Sequence, residues 1–421
     1  MNKEKRGIII IGGGPAGLAA ALEAKQQGVD DVLILERDTM LGGILQQCIH
    51  DGFGLLKFGE RLSGSTYAQR YVDDVLKASG IEILCDTMVL SVSKGREVVA
   101  ISKKRGLTVY NAEAVILAMG CRERTRAQVQ IMGTRPAGVY TAGAVQRMIN
   151  MEGLRPGNRV VILGSGDIGL IMARRMTLEG MDVVGVYEIM QAPGGLTRNI
   201  VQCLDDYEIP LHLATTVAEI HGENRIEAVT VMKVDENRRP IPGTEERIDC
   251  DLLVLSVGLI PENELSELAG VEIHPVTKGP VVDEEMMTSI PGIFACGNVA
   301  AVFDLVDYVS LTGEYAAQGA VRFMKGEKTA QGTVPIEPGN GISFTIPQFF
   351  SEVADKRDQM VFARVKWEEE GAVIRGFCND LQVHRKKHLV VKPPEMIASE
   401  MTLPEDYQNK RIRLEIMEVE Q

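Results

Sequence analysis

Apolar runs punctuated by glycine dominate the first two thirds of the chain. Gly7-Ile8-Ile9-Ile10-Ile11 is too short for a helix and has no polar alternation, the pattern of a strand buried on both faces. It is followed by Gly12-Gly13-Gly14-Pro15-Ala16-Gly17, an Ala-rich stretch to Gln27-Gly28, and a second apolar run, Asp31-Val32-Leu33-Ile34-Leu35-Glu36. The pattern predicts strand, glycine turn, helix, strand. The same succession returns at Arg159-Val160-Val161-Ile162-Leu163, Gly164-Ser165-Gly166-Asp167-Ile168-Gly169, a helix to Gly180, and Asp182-Val183-Val184-Gly185-Val186-Tyr187-Glu188. Residues 114–119 and 252–260 read as further buried strands and 309–323 as a helix. From about Thr333 the texture changes. Pro335, Pro338 and Pro347 interrupt it, and Val361, Ala363, Val365 and Trp367, then Ile412, Leu414 and Ile416, alternate with period two, which predicts a small strand-rich region.

Each glycine of the first turn has a mechanical duty. Gly12 makes the tight turn, Gly14 admits a pyrophosphate to the backbone, and Gly17 lets the helix pack closely on the strand. Pro15 and Ala16 open that helix, whose unpaired N–H groups and dipole favour an anion. Glu36, with Arg37 beside it, ends the second strand where a carboxylate can accept hydrogen bonds from both ribose hydroxyls. Gly164, Gly166, Asp167, Ile168 and Gly169 repeat the turn, and Glu188 follows Gly169 at the interval that separates Glu36 from Gly17. Two such units on one polypeptide imply two bound dinucleotides and electron transfer between them. Glu188 favours NADH over NADPH, because a carboxylate at the ribose edge repels a 2′-phosphate. Nearby Arg198 is the residue able to blunt that repulsion.

Bulk properties narrow the setting. A chain of 421 residues with 45% hydrophobic and 24% charged positions is expected to form two or three globular domains. A net charge of -13 argues against nucleic-acid or anionic-membrane partners, which need a basic face. No apolar run approaches the roughly 18 residues that span a bilayer. The opening Lys3-Glu4-Lys5-Arg6 leads into no signal-peptide core, so a cytoplasmic home is expected. Seven cysteines, scattered and without a CxxC, suggest neither a disulfide scaffold nor a metal site.

Three further strings carry a family resemblance. They are Ala114-Val115-Ile116-Leu117-Ala118-Met119-Gly120, Leu255-Ser256-Val257-Gly258-Leu259-Ile260-Pro261-Glu262-Asn263, and Thr288-Ser289-Ile290-Pro291-Gly292-Ile293-Phe294-Ala295-Cys296-Gly297-Asn298. With the two glycine turns, they make residues 7–325 resemble the pyridine nucleotide–disulfide oxidoreductase superfamily. The resemblance implies an α/β fold in which an FAD-binding Rossmann-like domain (1–122 and 266–332) is interrupted by an inserted NAD-binding Rossmann-like domain (123–265). Residues 333–421 then form a small β-rich docking or dimerisation domain. It also implies that Gly43, Ala118, Gly120, Gly297 and Asn298 join the FAD site and Gly258 the NAD site. The family's second FAD fingerprint usually ends in Asp; Asn298 keeps an acceptor oxygen, adds a donor and removes the charge. The family's disulfide would lie in Leu41-Gly42-Gly43-Ile44-Leu45-Gln46-Gln47-Cys48, where only Cys48 is present, and Cys203 stands alone in the inserted domain. A dithiol relay is therefore not expected. Cys48 reads as a buried, inert thiol, with a single redox thiol as the alternative, and His50 as a packing or surface residue.

Gly120-Cys121-Arg122-Glu123-Arg124 and Gly133-Thr134-Arg135-Pro136-Ala137-Gly138-Val139-Tyr140-Thr141-Ala142-Gly143 resemble, more closely, flavoprotein subunits of dehydrogenases acting on opines, proline or sarcosine, or accompanying anaerobic glycerol-3-phosphate dehydrogenase. This implies hydride transfer between NADH and flavin, with electrons passing to or from a partner subunit or small acceptor. No acid–base side chain is required for that half-reaction, and none is assigned. Arg122, Arg124 and Arg135 read as ion-pairing residues or as anion holders. His384-Arg385-Lys386-Lys387-His388 reads as a solvated strand edge or a partner contact. The rival expectations are a self-contained NADH oxidase and a structural or sensory subunit whose FAD only holds the fold.

Overall fold

The computed structural model describes residues 2–352 and 358–417. The chain divides into two compact units, one of residues 1–121 and 261–421, the other of residues 122–260.

In the first unit, strand Asn2–Ile11 lies at the centre of a seven-stranded sheet. Ile8, Ile9 and Ile10 are fully buried, as a strand covered on both faces requires. The strand starts well before the apolar run because its charged half is paired. Arg6 bridges Glu4 at 2.9 Å and Glu82 at 2.6 Å, and Arg105 reaches both of those carboxylates. Five parallel strands run in the order Ile81–Leu84, Val32–Leu35, Asn2–Ile11, Gly106–Leu117, Ile293–Ala295. Glu97–Ser102 and Thr87–Val92 continue the sheet antiparallel along the first half of Gly106–Leu117.

Helix Pro15–Gln26 packs its small residues, Ala16 to Ala24, against helix Val306–Met324. Gly313 has no room for a Cβ because the Ala16 carbonyl presses on it, so only glycine allows this approach. The second helix begins at Val306, ahead of the expected 309, with Asp307 in its first turn accepting the Lys57 N–H at 2.9 Å.

Residues after Thr333 form strands around a core of their own, including Val334, Ile336, Ile342, Phe350, Val361, Ala363, Val365, Ile374, Ile412, Leu414 and Ile416. Pro335 and Pro338 lie inside strand Val334–Pro338 and do not break it. The parallel ladder to residues 412–414 begins at Ile336 and ends at Pro338, so each proline sits at or beyond a ladder end. Trp367 falls outside the alternation: its strand stops at Val365 and the indole is 41% exposed. His384–Lys387 lies on Leu381–Lys387, the edge strand of a five-stranded sheet.

The second unit has a parallel core of the same kind, Leu211–His212, Asp182–Tyr187, Arg159–Leu163, Leu252–Leu255, Val139–Thr141, except that its last strand precedes the others in the chain. A second sheet, formed by Met132–Gly133, Thr215–His221, Ala228–Lys233 and Glu246–Asp249, covers one face through Val161, Val217, Ile220, Val229 and Leu253. No helix among the described residues is long and apolar enough to cross a membrane.

Candidate dinucleotide sites

In each unit the central strand turns sharply into a helix at the C-terminal edge of the parallel strands, the place where open α/β sheets bind ligands. In the first unit Gly12 has φ +108 and its absent Cβ would strike the Ala118 carbonyl; a Cβ on Gly17 would strike the Gly12 carbonyl. Gly14 caps helix Pro15–Gln26 with no side-chain bond, so the first-turn N–H groups receive no side-chain cap from it. Gly43 has φ +55, and a Cβ there would stand 3.1 Å from the Gly14 Cα. This leaves a smooth backbone cradle of Gly13, Gly14, Gly42 and Gly43, with the Gly42 N–H donating to the Gly13 carbonyl at 2.8 Å. Such a surface fits a pyrophosphate, which needs close main-chain approach.

Buried Glu36 stands at the rim. Its Oε2 accepts the Gly13 N–H at 2.6 Å and its Oε1 the Asp38 N–H at 2.7 Å. These bonds orient the carboxylate and leave acceptor capacity on each oxygen for ribose hydroxyls. Arg37 is exposed and lies 3.6 Å from Glu262. Ala118 is buried, and Gly120 has φ +72 and accepts the Glu262 N–H through its carbonyl at 3.0 Å. Gly297 has φ +67, and its N–H donates to Thr312 Oγ1 at 2.9 Å. Asn298 Oδ1 accepts the Phe303 N–H at 3.0 Å while Nδ2 donates to Cys121 Sγ at 3.6 Å. The amide group, not just the acceptor oxygen that Asp would supply, is therefore used within the chain.

The second unit is built on the same plan. Gly164 has φ +96 and its missing Cβ faces the Ser256 carbonyl; Gly169 is pressed by the Ser256 side chain, whose Oγ accepts the Gly169 N–H at 3.0 Å. Gly166 caps helix Asp167–Leu178 without a side-chain bond. Glu188 is buried and accepts the Ser165 N–H at 2.9 Å and Ser165 Oγ–H at 2.6 Å on Oε2, and the Met190 N–H at 2.9 Å on Oε1. Asp167 Oδ1 accepts the Leu196 N–H at 2.8 Å and Asn199 Nδ2–H at 2.6 Å, tying down the loop after Glu188. Ile168 is half-buried in the helix's first turn, Gly258 takes φ +101 beside Arg124, and Arg198 is exposed on helix Thr197–Cys203.

Ser165, Asn199, Ser256 and the doublet Gly194-Gly195 were not singled out from sequence. A signal existed for the doublet: it follows Gly166 at the interval by which Gly42-Gly43 follows Gly14. Gly195 backs onto Ser165, Asp167 and Leu170, whereas Gly43 backs onto Gly14.

Cys48 is buried, its thiol directed at the Ile44 carbonyl at 3.4 Å, and burial pushes its pKa up to about 12. The His50 ring packs 5.1 Å from that of Phe53. Among the described residues no group of His, Cys, Asp or Glu could hold a metal ion.

Two Rossmann-like units, each with a glycine turn after its central strand and an acid tethered to that turn, make this a chain built twice on one plan. Residues 6–321 match the model of the pyridine nucleotide-disulphide oxidoreductase family, and the chain belongs to it. The chain is 28% identical over 280 residues to hydrogen cyanide synthase subunit HcnB of Pseudomonas protegens, covering 63% of this chain and 59% of that relative. The match thus spans less than two thirds of HcnB. Identity to an opine oxidase subunit of Agrobacterium tumefaciens is 24% over 348 residues, covering 78% of this chain and 68% of that relative. The fold superposes on T. acidophilum thioredoxin reductase with a TM-score of 0.61 at 24% identity, over 76% of this chain and 98% of that one.

Proposed function

We infer that the chain transfers hydride between NADH and FAD and exchanges the electrons with a partner subunit or small acceptor, without an internal redox disulfide. The observation carrying this is the duplicated tether: Glu36 and Glu188 each accept, on Oε2, the N–H of the residue 23 positions earlier, in the middle of the glycine turn. Each cradle is built to take an adenosine ribose and its pyrophosphate.

FAD is assigned to the unit holding Gly12, Gly14, Gly17, Glu36, Gly43 and Gly297, and NADH to that holding Gly164, Gly166, Gly169 and Glu188. Bound FAD supplies a two-electron carrier able to accept hydride from a nicotinamide. The residues of the chain bind, orient and exclude water; none is required to move a proton in this step. Cys48, buried and protonated, takes no part. Buried Glu188 supports NADH over NADPH, since a carboxylate held there opposes a 2′-phosphate.

A partner subunit is supported by HcnB and the opine oxidase relative, both themselves named as subunits. The strand-rich segment 333–421 is the proposed docking or dimerisation element. A glycerol-3-phosphate dehydrogenase setting rests only on the strings at 120–124 and 133–143. Seven cysteines without a disulfide suit a reducing cytoplasm.

Anaerobic stopped-flow mixing tests the reading. Rapid bleaching of the flavin by NADH is expected. A flavin spectrum unmoved by NADH and NADPH would leave only a structural role, and sustained turnover with oxygen alone would make the chain a self-contained oxidase.

A further inference from the structure

The two cradles correspond residue for residue at one constant interval: Gly12 with Gly164, Gly14 with Gly166, Gly17 with Gly169, Glu36 with Glu188, Gly42 with Gly194, Gly43 with Gly195. The bonds correspond as well. Asp38 N–H and Met190 N–H, two residues beyond each acid, both donate to its Oε1. Against this shared frame the exchange of Gly13 for Ser165 changes the wiring at the acid itself, while that of Pro15 for Asp167 changes it only at the loop.

Ser165 is fully buried, and its hydroxyl has two partners. It donates to Glu188 Oε2 at 2.6 Å and accepts the Gly194 N–H at 2.8 Å. In the first cradle the corresponding link is purely main chain, Gly42 N–H to the Gly13 carbonyl at 2.8 Å, and does not involve the acid. In the second unit the acid, the glycine turn and the loop of residues 189–196 are joined through one hydroxyl.

A carboxylate rejects a phosphorylated ribose only while it stays in place. An untethered glutamate can rotate away and surrender the site to the larger anion. Glu188 can do so only by abandoning a buried hydroxyl in addition to the Ser165 and Met190 N–H groups that it accepts, one bond more than Glu36 would lose. We propose that Ser165 is a specificity-determining residue of the second unit: it pins Glu188 to the 189–196 loop, so that the site accepts an ADP-ribose with a free 2′-hydroxyl and rejects its 2′-phosphorylated form. This rests on the NADH reading of Glu188 and adds the residue that enforces it.

Calorimetric titration of the flavin-loaded full chain with ADP-ribose and with 2′-phospho-ADP-ribose tests it, using wild type, Ser165→Ala and Ser165→Gly. The glycine variant carries the residue that the first cradle uses, so it decides the matter if the alanine variant does not fold. Wild type should favour ADP-ribose, and both variants should lower the ratio of affinities about tenfold, the loss of one hydrogen bond to a charged group. Variants that keep the wild-type ratio within about twofold overturn the role of Ser165 while leaving the NADH reading intact. A wild type that binds neither ligand, or binds the phosphorylated one more tightly, overturns the NADH reading and this inference with it.

Discussion

Lys328 Nζ lies 2.8 Å from Asp283 Oδ2, and both side chains are buried, 5% and 0% exposed. Glu285 at 2.9 Å and Glu284 at 3.7 Å complete a ring of three carboxylates around one ammonium. Asp283 Oδ2 also accepts the Gly332 N–H at 3.0 Å, and Lys328 donates to Ser351 Oγ at 3.2 Å, so the cluster joins the strand-rich segment to the rest of its unit. Removing the cation leaves buried like charges facing one another. Lys328→Met should therefore cost about 3–5 kcal/mol, measured as a lowered urea midpoint. A loss below about 1 kcal/mol would show that water reaches the cluster.

The same carboxylate predicts a pH dependence. Burial, and then the charge of Glu284, push the Asp283 pKa up to about 6, against the pull of Lys328. A folded pKa above the unfolded one means that the native state binds the extra proton. The contribution of Asp283 is thus complete below about pH 4 and is lost as pH rises through about 6. Other carboxylates titrate in this window, so the test is a difference. The unfolding free energy of wild type minus that of Asp283→Asn should fall between pH 4 and 6; a flat or rising difference contradicts the assignment.

Gly43 offers a direct test of the first cradle. Its φ of +55 and the 3.1 Å approach to Gly14 make Gly43→Ala both strained and crowded. Gly28 has φ +91 but nothing within 4 Å of its Cβ position, so Gly28→Ala controls for backbone strain alone. The ratio of flavin to protein after purification should fall several-fold for Gly43→Ala, whose Cβ crowds the cradle at Gly14, and stay near wild type for Gly28→Ala. Equal flavin content in the two variants would remove Gly43 from the cradle.

Both cradles were legible because strand, glycine turn, helix and acid are consecutive in the chain and their spacing is set by local geometry. What tethers each acid was not. Glu188 reads as a strand end, and only the fold brings Ser165 Oγ against it. The doublet Gly194-Gly195 was visible as a repeat of Gly42-Gly43, but its meaning depends on which backbone it rests upon. The strand-rich segment showed its alternation without its topology, since Ile336 pairs with Ile412 and no local signal specifies that partner. The Asp283–Lys328 cluster was invisible for the same reason: its members look like ordinary surface charges until the chain folds.

Asp167 tests the loop of the second cradle separately from Glu188. Its Oδ1 holds Leu196 and Asn199, and Asp167→Ala releases both. The KM for NADH should rise about tenfold, from the loss of two hydrogen bonds to a charged group, while flavin content is unchanged. If KM stays within about twofold, the loop does not contribute to nucleotide binding.

Cys48 decides whether a thiol shares in the chemistry. Desolvation pushes its pKa up to about 12, so at pH 7 only about one molecule in 10⁵ carries the thiolate that redox chemistry needs. A Cβ on neighbouring Gly64 would stand 2.6 Å from the Cys48 Cβ, which leaves little space for a reagent or a disulfide partner. Iodoacetamide at pH 8 should leave Cys48 unmodified while it reaches the more exposed Cys121, as read by peptide mass. The rate of flavin reduction by NADH in Cys48→Ala should lie within about twofold of wild type, less than the effect of losing one hydrogen bond. A rate more than tenfold lower, together with alkylation at Cys48, would make it a single redox thiol beside the flavin.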